Sequence, residues 1–109
     1  MPSRTYLGEL EELILLMVAL LSKEAYGVSI AEELHKQAGR TVSISAIHAV
    51  LHRLEEKQFV NSSMGGASSS RGGRRKRIFH ITAYGIRSIE KLQTTRNLIW
   101  GQLSNLSPA

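Results

Sequence analysis

Early in the chain, apolar residues recur at intervals of three and four: Leu7, Leu10, Leu13, Ile14, Met17, Val18 and Leu21. That spacing lays one apolar stripe along a helix and predicts a helix over residues 6–22. Ser22 to Gly27 interrupts the pattern. A second helix is predicted from Gly27 to Ala38, with Val28, Ala31 and Leu34 facing inward and Gly39 as its C-cap. Arg40 to Ser43 reads as an extended link or a minimal strand. A third helix follows, with Ser43 as N-cap. Its buried stripe is Ile44, Ile47, Val50 or Leu51, and Leu54, and it ends near Lys57.

After the third helix the period drops to two. Phe59 to Ser63 reads as one short strand and Lys76 to Thr82 as another, in which Ile78, His80 and Thr82 alternate with Phe79 and Ile81. The glycine- and serine-rich run between them makes the pair a β-hairpin. Thr82 is a plausible N-cap for a last helix from Ala83 to Leu103, with Ile86, Ile89, Leu92, Arg96, Ile99 and Leu103 on one stripe. Past residue 97 this helix turns apolar over more of its circumference, through Leu98, Ile99, Trp100 and Leu103. One small domain cannot cover that surface, so Leu92, Arg96, Ile99, Trp100 and Leu103 are expected at an interface with a second chain. The alternative is a helix folded back on its own domain.

The chain is thus mainly α with a small β-hairpin, an α+β class. Three helices, a hairpin and a final helix follow the order of a winged helix-turn-helix fold. Residues 1–82 form the winged-helix DNA-binding domain of this reading, and residues 83–109 a C-terminal dimerisation helix. The second and third helices are the reading unit, with the third in the major groove and the hairpin tip as the wing.

Length and composition narrow the picture. A chain of 109 residues is one domain with a marginal core, which favours help from a partner subunit. There is no cysteine, hence no disulfide, thiolate metal site or cysteine nucleophile, in keeping with a reducing cytoplasm. The longest apolar run, Leu13 to Leu21, is too short to span a bilayer. Glu9, Glu11 and Glu12 precede it where a signal peptide would carry positive charge, so no membrane partner is expected.

Charge is unevenly spread. Residues 1–60 hold six Lys/Arg against eight Glu, whereas residues 61–82 hold Arg71, Arg74, Arg75, Lys76 and Arg77 and no acid. Residues 83–109 add three basic residues against Glu90. A local excess of this kind is the footprint of an anionic partner such as nucleic acid, and equally that of a solvated loop. The order of the elements favours the first, because it sets the basic run on the wing that would lie along the DNA backbone, beside the outward face of the third helix. Ser45, Ala46, His48, Ala49, His52 and Arg53 carry no negative charge, and Glu55 and Glu56 come only at the far end. Small polar side chains let a helix approach DNA closely, and its N-terminus favours phosphate. Ser43, Ser45, Ala46, His48, Ala49, His52 and Arg53 are therefore the candidate base- and backbone-contacting set. The five basic hairpin residues are the candidate phosphate clamp.

Other chemistries fit less well. His48 and His52 stand at i and i+4, a spacing that suits a metal, but no carboxylate is fixed nearby, and no metal site or cofactor is expected. There is no Gly-x-Ser-x-Gly and no plausible Ser/His/Asp set, and the glycine-rich run lacks the Gly-Lys-Ser/Thr ending of a P-loop, so no enzyme is expected. Two other classes stay open. One is a winged-helix protein-interaction module, which would not need a basic wing. The other is an RNA or single-strand binder, which would want stacking aromatics beside its basic arm, where only Phe79 is close.

The residues also carry a resemblance. Leu7 to Leu21, "AYGVSIAEEL" (25–34), "VSISAIHAVLHRLEEKQFV" (42–60) and "RGGRRKRIFHITAYGIRSI" (71–89) together resemble the PadR family of bacterial transcriptional regulators, in its short form with one C-terminal helix. The combination Tyr26-Gly27, Leu51-His52-Arg53-Leu54-Glu55 and Ile81-Thr82-x-x-Gly85 is the specific part. The chain departs from the family where Ile47-His48-Ala49 stands in place of Leu-Tyr-Pro, and its wing is longer and more basic. The resemblance implies a homodimer held by the last helix and aided by the first. It would bind a pseudo-palindromic duplex operator, usually as a repressor, with recognition helices ~34 Å apart. Some short members bind flat hydrophobic drugs at the dimer interface against a tryptophan of the last helix. That makes Trp100 a candidate ligand residue for a hydrophobic small-molecule effector; its other reading is an interface anchor.

Overall fold

The computed structural model describes residues 7–65 and 76–103. In chain order they form α1 (Glu9–Leu21), a single 3-10 turn (Ser22–Glu24), α2 (Gly27–Ala38), α3 (Ile44–Glu56), β1 (Val60–Met64), β2 (Arg77–Ile81) and α4 (Ala83–Trp100). The expected order holds. Each strand lies within about a residue of its predicted span, and Arg40–Ser43 forms no strand.

Local chemistry explains the boundaries. α2 stops at Gly39, whose left-handed backbone (φ 66°) lets its N–H reach the His35 carbonyl at 2.9 Å. Ser43 starts α3, its Oγ accepting the Ala46 N–H at 3.1 Å. α3 closes with the backbone turning left-handed at Gln58 (φ 69°). The Gln58 N–H then reaches the Glu55 carbonyl and the Phe59 N–H the Leu54 carbonyl, at 3.0 and 2.9 Å. Thr82 starts α4 with an Oγ1 that accepts from the Gly85 N–H at 2.9 Å.

The core is one cluster. Ile14, Leu15 and Val18 of α1 meet Ile30 and Leu34 of α2 and Ile47, Val50, Leu51 and Leu54 of α3, closed by Phe59, Val60 and Phe79 from the hairpin. Phe59 also stacks flat on Tyr84 of α4, ring centroids 5.0 Å apart. Two expectations fail here. Val28 is 49% exposed; the residues α2 turns inward are Gly27, Ile30 and Leu34. A glycine adds nothing to an apolar stripe, so only Ile30 and Leu34 mark the true face by hydropathy, and the neighbouring valine competes for the first place. Ile44 is 40% exposed, because it sits at the first turn of α3, ahead of the point where the helix meets the core.

β1 and β2 pair antiparallel, Val60 opposite Ile81 through Met64 opposite Arg77. The Phe79 N–H bonds the Ala25 carbonyl at 2.8 Å, which pins β2 to the segment before α2. Among the described residues, no helix is long and apolar enough to cross a membrane.

Candidate nucleic-acid interface

Because Ile47, Val50, Leu51 and Leu54 are committed to the core, the opposite face of α3 is free. Ser43, Ser45, His48, Ala49, His52 and Arg53 are exposed and Ala46 is half-buried. The first two turns of that face carry no acid. The acidic groups begin at Glu55, which accepts a hydrogen bond from Ser62 Oγ at 2.8 Å, and Glu56, whose Oε2 is 3.4 Å from His52 Nε2. Ser43 spends an oxygen lone pair on the helix cap and keeps its proton to donate.

His48 lies across the N-terminal residue of α2. A Cβ built on Gly27 would sit 2.6 Å from His48 Nε2, so the ring fits only because residue 27 has no side chain.

Arg53 is less free than its exposure suggests. Its Nε is 3.3 Å from Glu11 Oε2, and Lys57 Nζ lies 3.0 and 2.9 Å from the two Glu11 oxygens. Burial alone would raise the Glu11 carboxyl. The Gly8 N–H, the Lys57 ammonium and the Arg53 guanidinium outweigh it and hold the group below the ordinary glutamate range. This buried carboxylate ties the far end of α3 to α1. Sequence reasoning passed over it, since acids in a first helical turn usually just complement the helix dipole. The one available signal was its position bordering the apolar stripe.

On the hairpin, two of the five expected basic residues are described; Arg71, Arg74 and Arg75 lie outside the described residues. Lys76 and Arg77 are both exposed. Arg77 donates to Ser62 Oγ at 3.0 Å, a diagonal pair on one face of the ladder. The Lys76 ammonium stands over the Tyr26 ring, 4.3 Å from its centroid.

The predicted association surface lies along α4. Leu98, Ile99, Trp100 and Leu103 are exposed, Trp100 to 66%, and Leu92 is half-buried. Arg96 bonds Glu12 of α1 at 2.8 Å. A groove of about 650 Å³ lies between Leu7 and α4, lined by Leu7, Tyr84 and Leu92 and by the cations Arg87, Lys91 and Arg96.

Comparison with known proteins identifies this assembly. Residues 15–91 match the model of the transcriptional regulator PadR-like family. The chain belongs to that family. It is 32% identical over 80 residues to an uncharacterised protein of Lysinibacillus sphaericus, covering 72% of this chain and 69% of that one. Among solved structures, a PadR family transcription regulator of Clostridium difficile R20291 is 27% identical, with a TM-score of 0.65 over 82% of this chain and 91% of that one. A PadR-like regulator of Bacillus cereus shares the fold at 24% identity and a TM-score of 0.67, over 86% and 89% of the two chains. So does Bacillus subtilis PadR, solved in complex with operator DNA, at 18% identity and a TM-score of 0.60, over 92% of this chain and 50% of that one. In this PadR-like chain, then, α3 and the β1–β2 hairpin stand at the third helix and the wing of the winged-helix fold.

Proposed function

We propose that this PadR-like regulator is a homodimeric repressor that binds a pseudo-palindromic duplex operator. In this reading residues 1–82 contact DNA and residues 83–109 hold the dimer. The observation that carries it is the face of α3: exposed, free of acid over its first two turns, and flanked by a hairpin that begins its return with Lys76-Arg77. Ser43, Ser45, Ala46, His48, Ala49, His52 and Arg53 lie toward the bases and adjoining phosphates. Arg71, Arg74, Arg75, Lys76 and Arg77 neutralise backbone phosphate, supplying affinity without sequence preference. Operator binding by Bacillus subtilis PadR, which shares the fold, supports duplex DNA as the partner class.

The dimer half of the reading rests on Leu98, Ile99, Trp100 and Leu103, an apolar strip exposed in the single chain. Leu92 and Arg96 continue it toward the groove, and Trp100 is its anchor. The same interface is where a flat hydrophobic effector would stack.

Selection of bound sequences from random duplex DNA tests the proposal. The expected product is an inverted repeat with half-sites about one helical turn apart. Affinity should fall linearly on a log–log plot against salt, by about 0.9 for each phosphate neutralised. No enrichment from the duplex pool, or displacement of bound duplex by an equimolar single-stranded or RNA competitor, overturns it.

A further inference from the structure

Ala25, Tyr26 and Gly27 are consecutive, and each holds a different part of the molecule. The buried Ala25 accepts the Phe79 N–H of β2 at 2.8 Å. The Tyr26 ring lies under the Lys76 ammonium, 4.3 Å from centroid to nitrogen. Gly27 seats the His48 imidazole of α3 where a methyl group would stand 2.6 Å from Nε2. The Tyr26 backbone is itself fixed, its N–H donating to Ser29 Oγ at 3.0 Å.

We infer that the Tyr26–Gly27 step is a positioning element for DNA binding: it fixes His48 on the reading helix and Lys76 on the wing relative to one another. The inference rests on the proposed DNA-binding reading. Neither Tyr26 nor Gly27 needs to touch DNA. A lysine side chain has four rotatable bonds, and an exposed one samples many positions; a ring beneath the ammonium removes much of that freedom while leaving N–H groups on its other side for a phosphate oxygen. An imidazole packed on a backbone without Cβ likewise has its ring plane fixed before any base is met. Both restraints issue from adjacent residues. Reading helix and wing therefore share one reference point, which the Ala25–Phe79 bond ties to the sheet.

The roles separate in two double-mutant cycles on the full-length protein, read by duplex binding against salt and by sequence preference. Lys76→Ala is expected to weaken binding to all duplexes and to reduce the salt slope by about one unit. Tyr26→Leu should reproduce most of both changes. Tyr26→Phe, which keeps the ring, should restore them, and Tyr26→Leu should add nothing once Lys76 is alanine. His48→Ala should relax preference by roughly 5–150-fold at the base it reads. Gly27→Ala should relax preference at the same base pairs, and the double variant should equal His48→Ala alone.

A thermal melt distinguishes positioning from damage. The atom a new Cβ meets is the far end of the histidine, which can swing out, and alanine favours helix over glycine. Gly27→Ala should therefore melt at or above the wild-type temperature while losing discrimination. Additive effects in both cycles, with wild-type duplex binding intact, overturn the positioning role and leave the DNA-binding reading standing. Failure of the wild-type chain to bind any duplex overturns both.

Discussion

Glu11 and Glu12 are neighbours in sequence, both buried, and their carboxylates hold different helices: Glu11 grips Arg53 of α3 and Lys57 at its C-cap, Glu12 grips Arg96 of α4. Successive residues of a helix point about 100° apart, so one step along α1 is enough to face two partners. The first turn of α1 is thus the place where α3 and α4 are both tied to α1 by charge.

Glu11→Gln removes the charge and keeps the shape. Two cations would remain beside a neutral amide in a pocket where the carboxylate side chain is 8% exposed. The expected loss is about 1–3 kcal/mol, the scale of hydrogen bonds to a charged group. Chemical denaturation should show a lower midpoint with an unchanged slope.

The same residue fixes the sign of an acid effect. The Glu11 carboxyl titrates lower in the folded chain than its ordinary value of 4.5, so the unfolded chain takes up its proton first. Its contribution is fully present above that ordinary value and disappears as pH falls through the lower folded value. Stability measured from neutral pH downward should therefore decline below about pH 4.5. Glu11→Gln should flatten the decline. An identical acid limb in wild type and variant would show that Glu11 contributes nothing to it.

Gly85→Ala should be among the most damaging single changes. An added Cβ would lie 2.3 Å from the Phe59 carbonyl oxygen and 2.8 Å from Ile81 Cγ1. The carbonyl cannot withdraw, because it also accepts the Thr82 N–H at 3.0 Å and so fixes the hinge between hairpin and α4. Overpacking of this kind costs ~1–3 kcal/mol or more. A melting temperature within a degree of wild type would contradict the contact.

Trp100→Glu puts a charge on the proposed dimer strip. Trp100 is 66% exposed in the single chain, so the substitution should leave the fold intact while dissociating the dimer. Sedimentation should then report a monomer, with circular dichroism unchanged. An intact dimer would place the interface elsewhere.

Much of this architecture is written in short-range patterns. The period of three and four gives α1, the switch to two gives the hairpin, and Ser43, Gly39 and Thr82 mark ends that the observed caps match. What escapes is whatever depends on a residue lacking a signal or on a partner far along the chain. Gly27 faces inward but has no hydropathy, so the apolar pattern points to Val28 instead. Glu11 meets Lys57 across 46 residues, and nothing local tells a buried acid from a solvated one. The seating of His48 on Gly27 has the same character: both residues stand in the family-like motifs, yet their contact exists only once α2 crosses α3.

The division of labour on α3 bears on how such a regulator can change its target. Its core positions are occupied by Ile47, Val50, Leu51 and Leu54, while Ser45, Ala49 and His52 point away from them. Exposed substitutions, including one in a solvent-exposed pair such as His52–Glu56, usually shift stability by no more than ~0.5–1 kcal/mol. Under the proposed DNA-binding reading, evolution can therefore rewrite those three positions almost independently, and a duplicated copy could drift to a new operator without first losing its fold. Position 48 is the exception. A side chain that rests there as His48 does depends on residue 27 having no Cβ, so what this position presents is coupled to the helix behind it.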